Sequence, residues 1–160
     1  MAAEPSAEIH SARTRWAVVA LGLAAYIAAC AAPALGFESV ERASEPARVM
    51  KGFEAALLGW QAVFVGNLGW MANPLLFLSL LLILLRAWKM AAIFATLGLL
   101  CALHSLALLG ERIIADEGGV THMVMSELHS GFYLWLASLL IAVAGSLWWW
   151  QRDRRPVSRL

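Results

Sequence analysis

Four long apolar runs, none holding an Asp, Glu, Lys or Arg, constrain this chain more than any other feature. They cover residues 16–35, 68–85, 90–109 and 131–150. Each is about 18–20 residues, and a helix rising ~1.5 Å per residue over that length crosses the ~30 Å hydrocarbon core of a bilayer. Lipid cannot hydrogen-bond a backbone, so each run must satisfy its own amides as a helix. The chain is 14% charged and 61% hydrophobic, whereas a soluble domain carries about 25% charged residues. The expected fold is all-α: one integral membrane four-helix bundle spanning residues 1–160. A net charge of +1 with no basic face gives no case for nucleic acid.

The charges set an orientation. With the N-terminus inside, the inner segments hold Arg13, Arg15, Arg86, Lys89, Arg152, Arg154, Arg155 and Arg159. The outer ones hold Arg42, Arg48, Lys51 and Arg112. The positive-inside rule therefore favours both termini in the cytoplasm of a bacterial inner membrane. Trp16, Trp88 and Trp148–Trp150 fall at inner helix ends, and Trp60, Trp70 and Tyr133 at or near outer ones. Indole, apolar with one N–H donor, settles at headgroup level. A rival reading takes Ile27-Ala28-Ala29-Cys30 as a lipobox, which would remove the first helix and lipidate Cys30.

Small residues suggest how the helices pack. Ala20, Ala24, Ala28 and Ala32 recur every fourth residue, the third run has Ala91, Ala95, Gly98 and Ala102, and the fourth has Ser138, Ala142 and Ser146. Close backbone approach drives helix association in lipid, so these faces are expected to pack within the chain, with an oligomer seam as the alternative. The second run, bulky with Leu and Phe, is expected to turn more of its surface to lipid or a partner.

The segment between the first two spans is too long for a bare loop. Pro46 suits a helix start, and Val49, Met50, Phe53, Leu57, Trp60 and Phe64 recur at helical spacing. An amphipathic helix over about residues 47–65, lying at the outer interface and anchored by Trp60, is the expectation. The alternative starts the second span near Ala55 and kinks it between Gly66 and Pro74. The second outer loop, residues 110–130, holds a turn at Asp116-Glu117-Gly118-Gly119. Val120 to Ser130 reads as a short helix with His122, Met125 and His129 on one face.

That His/Met group, with Met123 and Glu127 beside it, is the one candidate metal site. Thioether and imidazole suit copper, and imidazole suits zinc. No HExxH or CxxC spacing supports it, and the main expectation is no cofactor. His104 is a candidate intramembrane polar site, read otherwise as a neutral imidazole bonded to a neighbouring helix. Haem needs a second axial His at matched depth, which His104 lacks. Cys30 and Cys101 fall inside spans and read as small apolar residues. No catalytic residue is assigned. An enzyme would need Glu111, Glu117 or Glu127 to converge with His122 or His129.

Gly59-Trp60, Trp70-Met71-Ala72-Asn73-Pro74, Asp116-Glu117-Gly118-Gly119 and Gly131-Phe132-Tyr133-Leu134-Trp135-Leu136-Ala137-Ser138 resemble stretches of small four-helix bacterial inner-membrane proteins of unassigned function. The resemblance runs from about Trp16 to Trp150 and implies no activity. The chain is thus expected to be an accessory, assembly or structural subunit of a bacterial inner-membrane complex. Its partners would be the bilayer and other membrane subunits or copies of itself. The alternative is a small-molecule or metal-binding or transport protein with a site at the outer face, its cavity framed by Trp60 to Pro74, His104 and the His122–His129 segment.

Overall fold

The structure is a computed structural model that describes residues 5–39, 48–114 and 122–154. It contains α1 (Pro5–Ala31), β1 (Pro33–Ser39), β2 (Arg48–Lys51) and α2 (Gly52–Leu58), the last continuing as a 3-10 helix over Gly59–Val65. A 3-10 turn (Gly69–Met71) leads into α3 (Ala72–Leu84). Then come α4 (Trp88–His104) with a 3-10 extension (Ser105–Leu108), β3 (Arg112–Ile114), β4 (His122–Leu128) and α5 (Ser130–Asp153).

The described residues are mostly helical, and among them three helices are long and apolar enough to cross a membrane: Ala12–Ala31, Trp88–Leu108 and Ser130–Asp153. The fourth apolar helix, Gly69–Leu84, is shorter. Its 13 α-helical and 3 3-10 residues rise about 25 Å, a few ångströms less than a ~30 Å core.

The all-α expectation needs correction. The two segments expected at the outer side pair into a four-stranded antiparallel sheet of order β2-β1-β4-β3. Residues 48–51, expected as the first turn of the amphipathic helix, form strand β2, and helix begins only at Gly52. There the backbone N–H of Lys51 donates to Glu54 at 3.3 Å. The short helix expected over residues 120–130 is instead strand β4 from His122 to Leu128. Local periodicity missed both strands because each is completed by a partner more than ten residues away in sequence. Pro46 and the Asp116–Gly119 turn lie outside the described residues.

In the helical body α5 packs against α1 and α4, and α3 lies against α4. Leu76, Ile83, Ala95, Leu139 and Ala142 are fully buried in one cluster. The small faces of α4 and α5 do pack within the chain. Ala91, Ala95, Gly98 and Ala102 are buried, as are Ser138, Ala142 and Ser146. The buried serines bond back to their own helix, Ser138 Oγ to Trp135 O at 2.6 Å and Ser146 Oγ to Val143 O at 3.0 Å. They therefore act as small residues with no polar demand on a neighbour. The α1 stripe behaves differently: Ala20, Ala24 and Ala28 are exposed. The inward face of α1 carries Val19, Gly22 and Ala29 instead, with Tyr26 set edge-on to Phe77 at 5.0 Å. A repeat of small residues marks a face that can approach closely, not the direction in which that face points. On α3 the reading of a bulky outward surface holds for Phe77, Leu78 and Leu81, while Leu76, Ser79, Leu80 and Ile83 turn inward.

The two ends of the helical body differ in chemistry. At one end Arg15 donates to Leu84 O at 3.3 Å, Trp88 stacks on Trp149 at 5.3 Å, and Arg152 and Arg154 sit over the Trp148 and Trp150 rings at 5.9 and 4.1 Å. Arg86 turns the chain there in the left-handed region, at φ 62°. The other end carries the sheet. Its joint to the helices is a close crossing of backbone on backbone. A Cβ on Gly131 would stand 2.7 Å from Pro33 O, 2.9 Å from Ala29 O and 3.0 Å from Ala32 O, and one on Gly52 would collide with Ala29 O. Gly52 N–H donates to Ala32 O at 3.0 Å, and His129 N–H to Ala34 O at 2.9 Å.

Gly131→Val is therefore expected to destabilise the fold by about 1–3 kcal/mol, since the neighbours it meets are backbone and cannot rotate away. Ala24→Val, on the exposed face of α1, should stay within about 0.5 kcal/mol. Thermal unfolding of both variants in one detergent checks the contrast.

Candidate functional site

Between the sheet and the sheet-side helix ends lies a cavity of about 130 Å³. Its walls are mostly apolar and small, including Ala29, Ala34, Ala55, Ala56 and Ala62, with Phe132, Trp135 and the buried Met125. A cavity of similar volume, ~150 Å³, takes up a benzene-sized molecule when its lining is apolar. A second, open groove of about 730 Å³ lies alongside, between the sheet and the α2 segment. Leu35, Ala55, Gly59, Ala62, Asn67 and Leu108 line both spaces.

Polar groups hold this arrangement open. Asn67 is buried, at 4% exposure, in the break that precedes α3. Its carbonyl oxygen accepts from Gly69 N–H at 2.9 Å and its amide donates to His104 O at 3.1 Å. His104 returns the contact, Nδ1 accepting from Leu68 N–H at 3.2 Å. The end of α4 is thereby fastened to the start of α3. Both indoles of the cavity are oriented by hydrogen bonds. Trp70 Nε1 donates to Ala56 O at 2.7 Å, and Trp135 Nε1 donates to the side-chain oxygen of Asn73 at 2.9 Å. Each N–H is thus satisfied, leaving the ring faces as apolar wall.

His104 was singled out in the sequence as a polar residue inside a span. It closes α4 at an exposed position and fastens backbone. His122, Met125 and His129 do not come together. Strand period sets His122 and Met125 on opposite faces of β4, because they are an odd number of residues apart. Met125 points into the cavity at 2% exposure. His129 caps α5 beyond the strand, its Nε2 3.7 Å from Glu127 Oε2, too far for a hydrogen bond. From His122 to His129 the extended chain covers roughly 20 Å. The copper or zinc site based on a shared helical face is therefore not formed, and among the described residues no three His, Cys, Asp or Glu side chains are grouped to hold a metal. Glu111 lines the groove and Glu127 stands by His129, while Glu117 lies outside the described residues. Cys30 lines the cavity and Cys101 does not, and both thiols are free.

Sequence reasoning framed a cavity with Trp60 to Pro74 but gave no role within it to Asn67 or Asn73, and it missed Trp135. A signal was present for two of them: an Asn inside an apolar run, and an Asn in the Gly/Pro-punctuated break before it, each needing a buried partner.

The chain matches no family model, no curated protein and no solved structure, so the site is read from its own geometry.

Asn67→Ala removes an acceptor and a donor from a buried position and is expected to cost about 1–3 kcal/mol. His104→Ala should cost less, because the Leu68 N–H it releases is solvent-accessible. Paired unfolding curves give the order, and equal losses would contradict the fastening role assigned to Asn67.

Proposed function

We propose that this chain is a multi-pass protein of a bacterial inner membrane, a four-helix bundle with both termini in the cytoplasm. Its outer end binds a small apolar or amphipathic molecule beneath the sheet. The observation that carries the binding reading is the apolar cavity of about 130 Å³ set beside a groove of about 730 Å³. The larger volume lies in the ~300–1,000 Å³ range of ligand sites. Membrane insertion is supported by the helices themselves. Only 22%, 28% and 39% of the apolar windows of α1, α4 and α5 are buried, so most of their apolar surface needs a non-aqueous cover. Along the α2 segment Leu57 and Phe64 are 68% and 81% exposed, as suits an element lying at the outer interface. The orientation rests on the collection of Arg15, Arg86, Lys89, Arg152 and Arg154 with Trp88 and Trp149 at the end away from the sheet.

A second reading keeps the chain as an accessory, assembly or structural subunit of a larger complex. The outward Ala20, Ala24 and Ala28 favour it, because small residues let a partner helix approach closely.

Native mass spectrometry after mild extraction distinguishes the two. The binding reading expects a small molecule that is retained by the wild type and by Ala24→Phe and lost from Ala56→Phe, which fills the cavity. A stoichiometric protein partner with no retained molecule would replace it with the subunit reading. For orientation, single-cysteine variants at Lys89 and Arg152 are expected to react with an impermeant maleimide only after the inner membrane is opened. Variants at Glu38 and Arg112 should react without that step, and the reverse pattern would invert the topology.

A further inference from the structure

We infer that the molecule held in the cavity is a neutral ring compound carrying one carbonyl oxygen, which accepts a hydrogen bond from the side-chain amide of Asn73; this rests on the binding reading above. The chain of reasons begins at Trp135. An indole N–H can only donate, so the Asn73 atom it meets at 2.9 Å is the amide oxygen. The amide nitrogen is thereby turned away from Trp135, with two N–H donors to place. It makes no hydrogen bond among the described residues. Asn73 is 8% exposed, and it lines the cavity but not the groove. Nor is its nitrogen sealed in by packing. The side-chain atoms that are both fully enclosed and unpartnered among the described residues are Ser39 Oγ, His129 Nε2 and Trp149 Nε1. The surface that the Asn73 nitrogen keeps is therefore cavity surface, and a buried amide without a partner is a donor for a ligand.

The other polar side chains of the lining are engaged. The Tyr26 hydroxyl is hydrogen-bonded to the Cys30 thiol, both ends of the Asn67 amide are taken, and Ser105 Oγ donates to Ala102 O at 2.6 Å. The lining holds no Asp, Glu, Lys, Arg or His, so a charged ligand would lose its hydration without a counter-charge. α3 begins at Ala72 and α5 at Ser130, and Asn73 and Phe132 of their first turns line the cavity. Two positive helix ends thus lie beside it and favour a partial negative charge. A neutral oxygen acceptor meets both conditions. A carbonyl suits the site better than a hydroxyl, which would bring a proton donor of its own to a wall whose Asn73 oxygen already serves Trp135. Volume sets the remainder: about 130 Å³ admits a single six-membered ring, held whole inside the cavity.

The full chain in phosphatidylcholine nanodiscs supplies the test, with cyclohexanone and methylenecyclohexane as probes. The two have nearly the same shape, and only the ketone offers an oxygen acceptor. Uptake is read from the headspace concentration of each, with empty nanodiscs giving the linear partition into the bilayer. Saturable uptake of both is expected. Referred to its concentration in the lipid, the ketone should bind at least about fivefold tighter, the factor that one neutral hydrogen bond contributes. Asn73→Leu should erase that ratio and keep the saturable uptake of methylenecyclohexane, and Ala56→Phe should abolish the uptake of both. Asn73→Leu also strips Trp135 of its acceptor and can cost the fold, so isotope-labelled cyclohexanone on the wild type gives a second readout. Its carbonyl stretch should fall below that of the ketone in empty nanodiscs, because a hydrogen bond weakens the C=O bond. Equal affinity of the two probes, or saturably bound ketone with an unshifted stretch, overturns the carbonyl assignment and leaves the cavity reading standing. No saturable uptake of either probe, with no molecule retained by the wild type in native mass spectrometry, overturns both.

Discussion

The sheet end of this protein depends on one crossing, where β1 leaves α1 and runs beside β4 as it enters α5. A Cβ on Gly131 would stand only 2.7–3.0 Å from the carbonyl oxygens of Pro33, Ala29 and Ala32, so glycine lets these backbones cross closely. Hydrogen bonds from Gly52 to Ala32 and from His129 to Ala34 close the same joint. Because the crossing is made of backbone, the sheet is held at a fixed height over the helices. The cavity beneath it is the space left when rigid strands meet helix ends whose facing residues are mainly alanine. Two indoles pinned by their N–H groups then supply its harder walls.

Asn67 and His104 have a complementary role. A chain that enters a helix through a 3-10 turn leaves backbone amides without helical partners, and in a low-dielectric setting each costs free energy. Asn67 covers Gly69 and ties itself to the end of α4, while His104 covers Leu68. Polar residues that look like chemistry in an apolar run are here absorbed in satisfying a helix start.

The helical body shows how small residues are used. On α4 and α5 they let backbones approach, with Gly98 facing Leu139 and Gly145 facing Val18. Serines there fold their hydroxyls back on their own helices, so they make no polar demand on a neighbouring helix. On α1 the same kind of residue lies outside, and the contact is made by Val19, Gly22, Tyr26 and Ala29. The opposite ends then divide the remaining tasks, with arginines and stacked tryptophans at one and a sheet at the other.

The sequence by itself determined the apolar helices, because freedom from charge over about 20 residues is a local property and each helix bonds only within itself. It also determined the segregation of basic residues and tryptophans to alternate helix ends, since that follows from chain order alone. The α4 and α5 packing faces were legible for the same reason, as regular spacing on one helix. Only the tertiary structure decided that the two segments between the first and second and the third and fourth apolar runs form strands. Neither Pro33–Ser39 nor His122–Leu128 bonds to itself, and each takes its hydrogen bonds from the other across most of the chain. That pairing flipped His122 and Met125 to opposite faces, dissolved the metal site that a helix would have made, and left Met125 over a cavity instead. The outward turn of the α1 stripe was likewise settled by which neighbours α1 met, and residue spacing carries no record of that.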